Sequence, residues 1–433
     1  MPTRSYRSAR AALLVVVGLV GTPPAVLASG FAIFEQGAEG MGFAGAYTAL
    51  ASDPSAIFHN AAGIAFLRGT QIYLGGAVIA PSASFTGDEP FPGSHVTETD
   101  DSGLIIPPVA DYTHQISDRL AVGVGLHVPY DLRTRWANRE TTFTGRFISK
   151  SAEVRAISIN PTVAYKLADR LAVGAGIDVR LNTVALRRNV GLTDPFTLQV
   201  VDVAALDLES DRNIGIGFNV GLLAKPTEGL SFGVAYRHKV KVDFTGRASF
   251  VPLATGNPQL DALVATTLPS GTVPLTTSIE FPSILSLGLA YAWNEWTLVG
   301  DVTFHRWSSF DELPLTFEGR DDLSSVVEWA YEDSRIYRFG IERQLSARWA
   351  VRGGYYYDQN PSPPESVSPV LPDADRHGLA AGLGFESGSW KLDVASWYQI
   401  FEDRSTEGVS RDNYNGTYDS GAMLLAVSIG YRF

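Results

Sequence analysis

The feature that most constrains this chain is a two-residue alternation of apolar with small or polar side chains that persists to its last position. Between Leu171 and Asn182 one set is Leu171, Val173, Ala175, Ile177, Val179 and Leu181; the other is Ala172, Gly174, Gly176, Asp178, Arg180 and Asn182. Successive side chains of a strand point to opposite faces, so the segment reads as a strand with one apolar face. The pattern recurs over 120–128, 285–293 and 378–385. It ends the chain, where Met423, Leu425, Val427, Ile429, Tyr431 and Phe433 share a face. In a soluble sandwich that face meets a second sheet. In an outer-membrane barrel it meets lipid, and the other face lines the lumen.

The connections favour the barrel. Short turns such as Ser117-Asp118-Arg119, Ala168-Asp169-Arg170, Asn294-Glu295 and Ser387-Gly388-Ser389 alternate with long polar stretches. The long ones fall at roughly 84–102, 134–149, 190–209, 247–275, 308–334, 359–374 and 402–420, the layout of short periplasmic turns and long outer loops. The expected fold is all-β: a membrane-spanning antiparallel barrel of about 14 strands over 66–433. Tryptophans near strand ends (Trp136, Trp293, Trp296, Trp307, Trp349, Trp390, Trp397) are expected to form interfacial girdles.

The N-terminus reads as an export signal. Arg4, Arg7 and Arg10 precede the apolar stretch 11–20, and Val26-Leu27-Ala28 predicts cleavage after Ala28, making 1–28 a signal peptide. The net charge of −12 argues against nucleic-acid binding through general attraction. With no Cys, disulfides and thiolate metal sites are excluded. Gly40 to Gly45 matches a dinucleotide-binding fingerprint, but no strand precedes it. No Walker loop or assembled nucleophile and base is present, so neither enzyme activity nor a cofactor or metal is expected.

Residues 29–65 do not alternate, are rich in Gly and Ala, and are too few for a domain with its own core. A plug folded inside the barrel fits them. Here the sequence resembles the FadL family of outer-membrane long-chain fatty-acid and aromatic-hydrocarbon transporters. The likeness begins with Gly30-Phe31, Glu35, the run Gly40-Met41-Gly42-Phe43-Ala44-Gly45-Ala46 and Asp53-Pro54. It continues through His59-Asn60-Ala61-Ala62-Gly63, where Ala61 departs from the family's Pro, and through Gly125 to Leu132, Asn160 to Tyr165 and Pro282 to Gly288.

The resemblance implies a barrel of the bacterial outer membrane with an N-terminal hatch, containing Glu35, Gly40, Gly42, Asn60 and Ala61. It implies passive transport of a hydrophobic small molecule, captured at outer loops, held near Gly30 and Phe31, and released sideways at a kink in the third strand. Val128-Pro129-Tyr130 match that kink. Pro129 lacks a ladder donor and fits either a kink or a strand ending at a loop. The family's carboxylate-binding Arg falls on Arg188, which shares the lumen face of Asp178 and Arg180. A loop-edge Arg paired with a local acid or with lipopolysaccharide is the alternative, and Arg187 takes the role if the register slips by one. The apolar loop 247–275 suits a capture groove or a packed lid. The expected partners are the ligand, membrane lipids and lipopolysaccharide, with the chain a monomer. A general porin or a surface adhesion barrel is the competing reading.

Overall fold

The computed structural model describes residues 30–140, 142–194 and 197–433. The expected signal peptide lies outside the described residues. Alternation becomes one closed antiparallel sheet of 14 barrel strands among the described residues. The first five are β1 (Thr70–Gly87), β2 (Pro108–Gln115), β3 (Leu120–Arg135), β4 (Ser151–Ala168) and β5 (Leu171–Thr193). Three interrupted strands follow: β6 (Val200–Ser210, then Asn213–Thr227), β7 (Leu230–Arg237, then Val240–Pro252) and β8 (Gly271–Phe281, then Ile284–Trp293). The break in β8 falls at Pro282, which has no N–H to donate. The rest are β9 (Trp296–His305), β10 (Ser334–Gln344), β11 (Trp349–Asp358), β12 (Arg376–Ser387), β13 (Trp390–Phe401) and β14 (Gly416–Arg432). Closure comes from β1 against β14, in register from Gln71 opposite Arg432 to Gly87 opposite Gly416. Closing the sheet leaves no long unpaired edge in hydrocarbon, where an unpaired backbone group is costly.

The faces sort as the alternation requires. On β14, Met423, Leu425, Val427 and Ile429 are exposed while Leu424, Ala426 and Ser428 are buried. On β5, Ile177 points out and Asp178, Arg180 and Asn182 are fully enclosed. So broad an exposed apolar belt belongs in lipid.

Two expectations need correction. Stretch 190–209 is largely strand and 247–275 begins and ends in strand, because β5 to β8 run further outward than the apolar belt. Between β7 and β8 the chain forms a helix, Pro258–Thr267, capped by the Asn257 side chain on the N–H of Gln259. Three of the tryptophans are not girdle residues. Trp136 and Trp307 are wholly buried and Trp397 nearly so, whereas Trp293, Trp349 and Trp390 are exposed.

Residues 30–69 precede β1 and pack against the inner wall. A short helix α1 (Ala38–Gly42) lies on β11 to β14, and a second, α2 (Ala56–His59), leads into a 3-10 turn over Ala61–Phe66 on β3 to β6. The first strand begins at Thr70. Small wall residues make room. A Cβ on Gly174 would overlap the Ala61 carbonyl, and one on Gly221 would overlap the Asn60 side chain.

Candidate functional site

The wall is irregular at one place, where two residues of β3 oppose one of β4. His127 faces Ser158 and Tyr130 faces Ala156, so Val128 and Pro129 together stand against Ile157. An extra residue exchanges the two faces of everything beyond it. Before the bulge the inward residues include Ala121 and His127; after it they are Tyr130, Leu132, Thr134 and Trp136. The bulge therefore carries the Tyr130 ring into the lumen.

The groups it frees are taken up by the N-terminal segment. Ile33 N–H donates to the Pro129 carbonyl at 2.9 Å, and the Gln36 amide donates to the Val128 carbonyl at 2.8 Å. Ala32 bridges Tyr130. Gly30, at φ +61°, donates its N–H to Asp373 at 2.9 Å. This places the Phe31 ring among Trp307, Phe310, Tyr130 and Phe281, with centroids 5.0, 5.8, 5.9 and 6.2 Å away.

Phe31 stands between two cavities. Outward of it is a space of about 530 Å³, lined by Leu132, Val154, Val184, Phe244, Ile279 and Leu313 among others. Beside it, at the wall, is a smaller one of about 160 Å³ against Ile79, Ile105 and Arg133. Phe31, Leu132 and Leu371 line both. The wall there lacks ladder pairs: β2 pairs with β3 only as far as Ala110 opposite Leu126. Contact resumes where Asp101 N–H meets the Arg135 carbonyl.

Arg188 lines the larger cavity, and its buried Nε has no hydrogen-bond partner. Arg187 points away, exposed beside Asp207 and Glu209 at 3.9 and 3.5 Å. Arg188 thus faces the cavity and Arg187 does not, and Asp412 on the same cavity is the acid that acts on Arg188. The apolar residues of the helix Pro258–Thr267 do not line this cavity; Leu260 and Val264 pack inward. Its outer rim comes instead from Val326, Val327, Trp329 and Val370.

The other marked residues hold the N-terminal segment in place. Asn60 donates to the carbonyls of Thr48 and Leu222 at 2.8 and 3.1 Å and accepts from Ala62 N–H, so Ala61 begins its turn capped without a Pro. Gly40 and Gly42 lie in α1; a Cβ on Gly42 would press on Arg352 Cδ at 2.9 Å. Glu39, beside them, accepts from Lys391 at 2.5 Å and Arg352 at 3.2 Å. Glu35 is buried, and burial pushes its carboxyl above the usual range, against the pull of the Phe34 N–H and of Arg376 and Arg338. Burial, reinforced by Asp358, pushes Asp373 up to about 7 despite Arg376.

Sequence reasoning assigned Trp307 to a girdle and missed Phe310, Trp329 and Tyr331; together these complete the aromatic cluster. They lie in or beside a long outer stretch, where no alternation marks an inward face. Aromatic density over 304–331 was the available signal.

A closed barrel with an outward apolar belt, a largely apolar lumen cavity and its residues 30–69 packed inside is a bacterial outer-membrane transport barrel. The chain belongs to the family described as outer membrane protein transport protein (OMPP1/FadL/TodX), whose model matches residues 20–433. It is 24% identical to a long-chain fatty acid transport protein of Escherichia coli O6:H1, over 98% of each chain. It is 25% identical to the 47 kDa outer membrane protein of Pasteurella multocida, over 98% of this chain and 97% of that one. Its fold matches a Pseudomonas aeruginosa FadL homologue with TM-score 0.82 at 21% identity, covering 94% of this chain and 100% of that one. The Pseudomonas putida toluene transporter TodX matches at TM-score 0.72 and 19% identity, covering 93% and 99%. The protein is a transporter of the outer membrane, not an enzyme.

Proposed function

We propose that this chain is a passive channel for hydrophobic molecules that carry a carboxylate, long-chain fatty acids above all. The observation that carries the reading is the sharing of Phe31, Leu132 and Leu371 by the larger, mainly apolar cavity and the cavity at the β3 bulge. A ligand enters between the outer segments that carry Val326 and Val370. Its tail fills the larger cavity, where burial of each CH₂ contributes about 0.8 kcal/mol. Arg188 meets the carboxylate. Displacement of Phe31 joins the two cavities, and the ligand leaves sideways between β2 and β3, where ladder pairs are missing. Residues 30–69 act as the hatch, closing the lumen to water and polar solutes.

The unpartnered Nε of Arg188 favours an acid over a plain hydrocarbon, since a charge-assisted bond contributes about 1.5–3 kcal/mol. The test is uptake of labelled palmitate and of toluene by cells carrying the wild type or Arg188→Ala. Palmitate uptake at limiting concentration is expected to fall about 10- to 100-fold in the variant, with toluene unchanged. If neither compound enters faster than in cells lacking the protein, the transport reading is wrong. Toluene entry indifferent to Arg188, with no palmitate entry, would make it a hydrocarbon channel.

A further inference from the structure

The interval of β3 that lacks a β2 partner holds a cation of its own. Arg133 stands between Leu126, the last paired residue, and Arg135, where contact with Asp101 resumes. The bulge decides which way it points. Leu132 and Thr134 are buried on the inner face, so the residue between them turns to the outside of the wall. The wall cavity reaches both Leu132 and Arg133.

Among the described residues the guanidinium makes no ion pair, although Glu153 stands opposite it in register and Asp131 feels its charge. Its Nε is buried with no partner, and its Nη1 makes one long bond, 3.4 Å, to the Leu104 carbonyl. Among the described residues no carboxylate oxygen lies within 4.0 Å of it. The other charged groups on the same cavity are engaged. Arg376 is held by Asp358 at 2.9 Å and donates to the Gly30 carbonyl. Asp131 is held by Arg155 at 3.0 Å. Asp373 accepts from the N–H of Gly30, Asp100 from those of Ser102 and Arg135, and Glu35 from that of Phe34.

We propose that Arg133 is an oxyanion site at the outer mouth of the wall opening, which receives the carboxylate of a ligand leaving the barrel. The proposal rests on the sideways-exit reading above. An unpaired carboxylate in a low-dielectric passage costs several kcal/mol. With Arg188 at the entry cavity and Arg133 at the exit, the charge crosses only the neck of Phe31, Leu132 and Leu371 unpaired. A hydrocarbon or alcohol has no such barrier and no use for either arginine. Arg133 is thus a determinant of the rate for acids and not of their resting affinity.

The experiment uses the full chain in phospholipid vesicles, with palmitate and the neutral hexadecanol as probes. Equilibrium affinity and the rate of transfer into the bilayer are both measured. Arg133→Ala is expected to slow palmitate transfer about 10-fold or more, with its affinity nearly unchanged, hexadecanol unaffected, and Arg133→Lys restoring most of the rate. Equal slowing of both probes, or of neither, overturns the assignment. A parallel set of vesicles contains lipid A. If Arg133 matters only there, its oxyanion is a lipid A phosphate and the ligand site is overturned. Deletion of Val128, which returns the strand to one-for-one pairing, tests the exit itself. Palmitate transfer that survives that deletion removes the sideways exit and this site with it. An insensitive Arg133 beside a sensitive deletion removes this site alone.

Discussion

The rings of Phe31 and Trp307 meet with their centroids 5.0 Å apart, one at the start of the described chain and the other just past the outer end of β9. Gly30 makes this contact possible: at its position a Cβ would strike the Trp307 ring at 2.9 Å. The segment that begins at Gly30 is thus stitched across the lumen from the β3 bulge to the aromatic cluster under the outer loops.

Phe31→Ala removes the ring that separates the two cavities. Deleting a buried Phe side chain costs about 3–5 kcal/mol where the site cannot collapse. Lower thermal stability is therefore expected, together with faster release of bound palmitate. Stopped-flow release from the purified protein checks the second part; unchanged release would show that Phe31 is packing and not a gate.

Deleting Val128 is a more selective change than replacing Pro129. The bulge has already exchanged the faces beyond it, so removing one residue restores pairing with Ile157 and still leaves Tyr130 inward. Palmitate should bind with near wild-type affinity and fail to reach the membrane. Substitution of Pro129 by Ala keeps the residue count, hence the bulge, and its effect on transfer should be smaller. Transfer rates for the two variants, set side by side, decide this.

Gly174→Val puts a branched side chain where the Ala61 carbonyl lies. Neither backbone can yield without losing ladder bonds or the contacts of the 3-10 turn. Part of the N-terminal segment should leave its seat, and single-channel recordings should show steady ion conductance that the wild type lacks. A silent variant of normal stability would mean that the segment does not seal the lumen.

The seating of that segment should depend on pH. Burial raises both Glu35 and Asp373 above the values they have in an unfolded chain, Asp373 to about 7. A raised carboxyl binds its proton more tightly when folded. Its contribution is full below the unfolded pKa, near 4, and is lost as pH rises through the folded value. Hydrogen exchange at Phe31 to Ile33, corrected for its intrinsic pH dependence, is expected to speed up between pH 5 and about 8. Glu35→Gln and Asp373→Asn should each flatten that rise. An acceleration on going to low pH would contradict the sign.

Much of this could be read from the chain alone. Leu171 to Asn182 and Met423 to Phe433 declared strand, facing and environment together, because a strand's two faces are local and lipid demands that one be apolar. Short turns set against long outer stretches gave the strand number. Parity alone put Arg188 on the lumen side, as it put Asp178 and Arg180. The girdle assignment failed at Trp136, Trp307 and Trp397 because proximity to a turn says nothing about which face a residue takes. For Trp136, moreover, the bulge had reversed the count.

What only the tertiary structure decided is non-local. That Val128 and Pro129 share one partner depends on the register of β4. That Phe31 ends against Trp307, Phe310 and Tyr130 depends on closure of the sheet, which brings chain segments together with no periodic relation to one another. The commitment of Arg376 to Asp358 and the absence, among the described residues, of an ion pair within 4.0 Å of Arg133 are likewise facts of distance. Alternation determines which way each side chain points, because that is a property of two adjacent peptide units. What a side chain meets there is set by a curved wall returning on itself, and no local pattern carries that information.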